Sequence, residues 1–259
     1  MKYILILITT LSLQTMCQHA QAQKPQFYAL TVYQLHDKQQ EARLDTYLGE
    51  ALLPALHAAG MKNVGVFKPV RQDSSNFGKK IYVLTVFNSL EEFKNLETKL
   101  NANSTYLQKG ADYIQAAHNQ APYDRIEISL MQAFQNAPVL GLPDLKGPRT
   151  ERIYELRSYE GPTEKLYRSK VKMFNAGDEI GLFNGLGFNA IFYGEVIAGR
   201  SMPNLLYMTT FENMKSRDEH WKAFFDHPHW KKLLTIEEYK NTVSKADIIL
   251  LFPTDYSDY

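Results

Sequence analysis

One succession of secondary-structure elements occurs twice along this 259-residue chain, and it restricts the fold more than any other feature. Residues 27–35 (FYALTVYQL) are rich in β-branched and aromatic side chains and predict a strand. Over residues 38–59, Leu44, Leu48, Leu52, Ala55 and Leu56 fall on one helical stripe. Pro54 is expected to kink that helix and Gly60 to close it. Residues 63–70 and 80–87 predict two more strands, joined by a polar hairpin connection. Ser89 followed by Glu92 is a capping box opening a helix that carries Leu90, Phe93, Leu96 and Leu100. Residues 125–131 (RIEISLM) alternate as a fourth strand. The order β-α-β-β-α-β is that of a ferredoxin-like unit.

The same order then returns. Ile153 stands over Phe27 at an offset of 126 residues, and Leu205 stands over Ile81 at 124. Residues 187–194, the helix bearing Met214, Trp221 and Phe224, and residues 246–252 repeat the remaining elements. One offset shared by several elements is the mark of an internal duplication. Residues 135–150 hold three prolines and read as a connector. The expected organisation is a first unit over 26–134, a linker over 135–150 and a second unit over 151–254, the fold class being α+β.

Residues 1–22 differ from the rest. Lys2, an apolar run over 3–13 and Ala20-Gln21-Ala22 together predict a secretory signal peptide, too short for a comfortable membrane span. The mature chain is then exported, periplasmic or secreted, and has no integral membrane span. Cys17, the single cysteine, leaves with the leader, so no disulfide, thiolate nucleophile or cysteine-held metal is expected. Twenty-nine basic residues against 28 acidic ones give no electrostatic reason to expect nucleic acid as a partner.

Residues 152–162 (RIYELRSYEGP) are the most informative single stretch. Tyr154, Leu156 and Ser158 point one way, and Ile153, Glu155, Arg157 and Tyr159 the other. A charged pair on one face, opposite aromatic and aliphatic groups, requires either a pocket or a buried ion pair.

The motif Y-E-L-R-x-Y at 154–159 resembles the opening of the NIPSNAP family, as does L-G-F-x-x-I-F-Y-G-E-V at 186–196. D-H-P-H-W at 226–230 is similar to that family's closing motif, and residues 50–67 resemble the N-terminal unit of two-domain bacterial members. The resemblance implies the dimeric α/β-barrel superfamily, in which two ferredoxin-like units close their sheets into one barrel with helices outside. Here one chain would supply both halves as a pseudo-dimer. Tyr207 and Thr209 stand where the third strand of the family often carries His and Trp.

In that barrel, Tyr28, Leu30 and Val32 with Ile126, Ile128 and Leu130 are expected to face the helices. Thr31, Tyr33, Glu127, Ser129, Glu155, Arg157 and Tyr159 are expected to converge on the lumen. The candidate ligand-binding set is therefore Glu155, Arg157, Tyr159, Tyr33, Glu127 and Tyr207. Arg157 would bind an anionic or carbonyl group and Glu155 would act as acid or base; the competing reading is a structural ion pair. His227 and His229 flank Pro228 with no third ligand in sequence, so no metal is expected, and no motif implies a cofactor. Trp230 is expected to be a core anchor and His220 a half-buried packing residue. Two functions remain open: binding of a small apolar ligand or partner, a second copy of the chain included, or cofactor-independent lyase, isomerase or monooxygenase chemistry in the lumen.

Overall fold

The computed structural model describes residues 23–73 and 75–259. The leader expected over 1–22 lies outside the described residues. Among the described residues, no helix is long and apolar enough to cross a membrane.

The first half runs β1 (Phe27–Gln34), α1 (Lys38–Tyr47), α2 (Leu53–Ala58), β2 (Gly65–Pro69), β3 (Lys80–Phe87), α3 (Leu90–Asn101), α4 (Ser104–Lys109), α5 (Ala111–Ile114) and β4 (Arg125–Ala133). The second runs β5 (Ile153–Glu160), α6 (Glu164–Asn175), α7 (Glu179–Gly185), β6 (Phe192–Ala198), β7 (Asn204–Phe211), α8 (Met214–Asp226), α9 (Pro228–Thr235) and β8 (Lys245–Pro253). A side-chain oxygen accepts from the first turn of each principal helix. Asp37 opens α1, Ser89 α3, Thr163 α6 and Asn213 α8. Pro54 lies in the first turn of α2, just after a π-helical turn over Leu48–Leu52. The backbone stays right-handed helical from α1 through this π turn into α2, so Pro54 lies inside one continuous helical run, and the π turn accommodates its missing N–H.

All eight strands close into one antiparallel barrel in the order β1-β3-β2-β8-β5-β7-β6-β4, with β4 returning to β1. Each half contributes four neighbouring strands. The halves meet at two seams, β4 with β6 and β2 with β8. The second seam is short: only Phe67–Pro69 pair with Leu251–Pro253, and a proline stands on each side. Segment 135–150 is tied to the barrel, with the Gly141 and Leu140 N–H groups donating to the Ile191 carbonyl and the Gln26 side chain.

The register reverses the faces expected of β1 and β5. Tyr28, Leu30, Phe67, Tyr82, Leu84, Met131, Tyr154, Leu156, Phe192, Met208 and Leu251 form one buried cluster drawn from all eight strands, and this cluster is the barrel interior. The lumen is filled by side chains. Its lower end is occupied by the ring of Tyr259, 5.6 Å from that of Phe67 and 6.3 Å from that of Tyr154. Two further clusters lie outside the barrel, one between each half's sheet and its helices. A strand covered on both faces carries no polar face to mark the inside; all eight residues of β7 are buried.

The fourth strand is not reversed, and its facing relative to β1 is the opposite of that expected. Leu30 pairs with Ser129 and Val32 with Glu127, so Ser129 and Glu127 share the lumen face with Tyr28. Ile126, Ile128 and Leu130 are on the outer face, where Ile126 and Ile128 remain 36% and 45% exposed. These isoleucines suit an extended backbone without being core.

Candidate functional site

Glu155 is fully buried, but against α8 rather than in the lumen. Arg157 Nε donates to its Oε1 at 2.6 Å, and Arg217 Nε to its Oε2 at 2.6 Å. Trp221 Nε1 donates to Oε2 at 2.9 Å, and Arg217 Nη2 reaches Oε1 at 3.3 Å. Four donors on one carboxylate leave it no free oxygen lone pair well placed to take a proton from a substrate. The Arg157 guanidinium lies 3.6 Å from the Trp221 ring centroid, a cation–π contact. Burial alone would favour neutral Arg157, yet Tyr207, Tyr159 and Glu155 outweigh it and hold the guanidinium charged.

The polar chain continues along the sheet. Arg157 Nη1 donates to the Tyr159 hydroxyl at 2.9 Å, and the Tyr159 and Tyr207 hydroxyls are 3.0 Å apart. Burial, reinforced by Tyr159, raises the Tyr207 phenol well above its ordinary range. Beside this chain, Lys170 donates to Glu179 at 2.9 Å and sits 4.6 Å from the Phe174 ring centroid. The structure thus brings Glu155, Arg157, Tyr159 and Tyr207 together under the helices of the second half.

It does not bring Tyr33 or Glu127 to them. Tyr33 belongs to the equivalent layer of the first half, among Tyr47, Tyr106 and Tyr123, where burial pushes its phenol up to about 12. Ala29 and Thr31 stand there where the second half has Glu155 and Arg157, so that layer has no matching ion pair. Glu127 lies at a barrel mouth, accepting from Gln34 Nε2 at 2.5 Å and Arg200 Nη1 at 2.8 Å. The histidines have local duties. His227 Nδ1 accepts from the backbone N–H of His229, and His229 Nε2 donates to the Gly177 carbonyl at 2.8 Å. His220 is half-buried against Phe188 and Phe211, as its sequence position suggested.

Trp221, not Trp230, is the buried anchor of the second half, because Trp221 lies beneath α8 while Trp230 is only half-covered, 4.6 Å from Phe224. Arg217 and Trp221 were not singled out for their part at Glu155. Their i, i+4 spacing on one helix face was the available signal, but nothing in it named Glu155 as their common partner.

The open space lies elsewhere. A cleft of about 880 Å3 runs along the outside of the β2–β8 seam, between the helix layers of the two halves. Val70, Phe77, Ile153, Met214 and Phe252 give it apolar walls; Lys68, Arg71, Arg149 and Arg152 add charge. Lys68 is clamped between Glu41 at 2.7 Å and Asp45 at 2.6 Å.

A NIPSNAP family model matches residues 154–258, the stretch holding both the Glu155 cluster and the outer wall of the cleft. The second half of the chain is a NIPSNAP domain. No curated protein matches the chain. Over 89–90% of its length it is similar in fold to three crystal structures. A candidate monooxygenase from Lactobacillus acidophilus NCFM is 12% identical, with a TM-score of 0.58 over 89% of this chain and 94% of that one. A second, from Fusobacterium nucleatum, is 9% identical, with a TM-score of 0.53 over 89% and 93%. An anthrone oxidase-like protein is 11% identical, with a TM-score of 0.51 over 90% and 93%. At such identities the likeness is one of fold, and it extends beyond the NIPSNAP half to both halves of the barrel.

Proposed function

We propose that this chain is an exported, two-unit NIPSNAP-like binding protein that holds a small apolar molecule in the cleft over the β2–β8 seam. The observation that carries this reading is the cleft itself. It is large enough for a drug-sized molecule and walled by apolar side chains from both halves. The lumen, by contrast, is packed with Tyr28, Phe67, Tyr82, Tyr154 and Phe192. The two halves are read as tandem ferredoxin-like units because each supplies four strands in the same spatial order. Export rests on Lys2, the apolar run and Ala20-Gln21-Ala22.

The alternative is a cofactor-independent lyase, isomerase or monooxygenase. It draws on the names of the similar folds, two of them candidate monooxygenases. Against it stands Glu155, the one buried carboxylate of the candidate set, whose oxygens already accept from Arg157, Arg217 and Trp221. Native mass spectrometry of the chain purified from its own host tests the binding reading. A co-purifying small molecule lost in Met214→Arg supports it. A molecule retained in that variant, or none at all, overturns it.

A further inference from the structure

The proposed cleft carries a charge pattern that selects among apolar ligands. Of its four cations, Lys68 alone is neutralised, by Glu41 and Asp45. Arg71, Arg149 and Arg152 belong to no ion pair among the described residues. Arg152 spends its N–H groups on the Gly147 and Leu145 carbonyls, each at 3.2 Å. Arg149 Nη2 donates to the carbonyls of Thr254 at 2.8 Å and Ser257 at 2.5 Å. Carbonyls fix a guanidinium in place without cancelling its charge. Arg71 is exposed, 5.8 Å from the Phe77 ring centroid.

Two polar atoms at the wall are also unspent. Arg149 Nε and Thr254 Oγ1 are both buried and make no hydrogen bond, although the two residues are already linked through the Thr254 carbonyl. Thr254 is only 6% exposed. Buried donors of this kind are costly unless something accepts from them. The remaining lining acids, Glu151 and Asp255, are exposed, so water screens them. The formal charges of the lining therefore balance, but the positive charge with no acid beside it sits at the half-buried Arg149, whereas Arg152 is near enough to Glu212 to help keep that carboxylate charged.

We infer that the ligand of this cleft is an amphipathic organic acid: a monocarboxylate whose carboxylate meets Arg149 and Thr254 and whose apolar body lies against Phe77, Phe252 and Met214. A carboxylate supplies the acceptor both unspent groups lack, and the guanidinium fork matches it in shape. This inference rests on the cleft reading above and narrows it.

Titration of the full chain with 2-naphthoate, 2-naphthalenemethanol and 2-naphthylmethylamine, three probes sharing one apolar body, tests it. The acid is expected to bind about tenfold more tightly than the alcohol, and the amine most weakly, which is the scale of one favourable charged contact. Arg149→Gln should erase the preference for acid over alcohol. Arg149 also anchors the segment after β8, so Arg152→Gln serves as a second variant and should narrow the same preference. Equal binding of acid and alcohol by the parent overturns the acid assignment and leaves the cleft standing. So does an acid preference that survives both substitutions. Failure of the alcohol and the acid alike overturns the cleft reading itself.

Discussion

The indole N–H of Trp221 donates to Glu155 across 2.9 Å, joining an α8 side chain to a β5 carboxylate from which all solvent is excluded. The same Trp221 ring carries the Arg157 guanidinium on its face. Glu155, Arg157, Arg217 and Trp221 therefore form one unit. Removal of the acid strands two cations under the helix. Glu155→Ala is expected to cost about 3–5 kcal/mol, the scale for breaking a buried pair. The double change Glu155→Gln with Arg157→Met should recover part of that loss. Urea unfolding of the two singles and the double measures the coupling; additive losses would mean that the pair does not act together.

The two tryptophans should differ sharply. Trp221 is 5% exposed and packs against Phe183, Phe188 and Phe224. Its replacement by alanine should cost about 3–5 kcal/mol. Trp230 is half-buried, so Trp230→Ala should cost distinctly less. Melting curves that rank the two the other way would refute the burial argument.

Tyr259 offers a test of the filled lumen. Its ring packs on Phe67 and Tyr154, and its hydroxyl is buried without a partner. Tyr259→Ala should cost about 3–5 kcal/mol by opening a cavity at the barrel base. Tyr259→Phe keeps the ring and removes an unsatisfied hydroxyl, so it should melt at or above the parent temperature. A Phe variant as weak as the Ala variant would show that the hydroxyl, not the ring, holds the base together.

Two glutamates should give opposite pH signatures. Burial raises Glu195 above the usual carboxylate range, and the Tyr167 hydroxyl opposes the shift only weakly. The folded state then holds this proton more firmly than the unfolded chain does. Its contribution is fully present below the unfolded value and is lost as pH rises through the raised folded value. Glu195→Gln should therefore be relatively more stable at neutral pH than at pH about 4. Glu212 is lowered by the backbone N–H groups of Lys146 and Gly147, aided by Arg152. Its contribution is present above the unfolded value and lost as pH falls through the lowered one, so Glu212→Gln should lose stability at neutral pH and little in acid. Parallel stability-versus-pH curves for both variants and the parent would contradict these assignments.

For export, N-terminal sequencing of the chain recovered outside the cytoplasm should begin at or near Gln23, after Ala20-Gln21-Ala22. An intact Met1 would remove the basis for export.

Strand existence and order were legible because β-branched and aromatic runs separated by capped helices mark elements locally. Residues 27–34 and 80–87 appear as strands nearly as their composition demanded. Facing was not legible. Tyr154, Leu156 and Ser158 were correctly separated from Glu155, Arg157 and Tyr159, but both sets are enclosed, one by the lumen and one by α8. Alternation says that two faces differ, never which one is inside. The ion pair was visible as Glu155 with Arg157 two residues apart. Its third and fourth members, Arg217 and Trp221, lie some 60 residues on and become neighbours only through packing. The cleft was invisible for the same reason, since its walls come from α1, β2, the start of β5 and the segment after β8.

The thinness of the β2–β8 seam bears on how this barrel opens. β5 and β7 share eight paired residues, whereas β2 and β8 share three, with Pro69 and Pro253 withholding two N–H groups. Val70 N–H, donating to the Leu250 carbonyl at 2.9 Å, and Thr254 N–H, donating to the Val66 carbonyl at 2.9 Å, extend the join by one bond at each end. Local unfolding should start where so few bonds resist it, and amide protons of β2 and of the end of β8 should exchange with solvent ahead of those on β5 and β7. A molecule lodged over that seam would touch both halves at their weakest join. Occupancy would then act as a clasp, slowing exchange there first and making the lifetime of the closed barrel depend on ligand concentration.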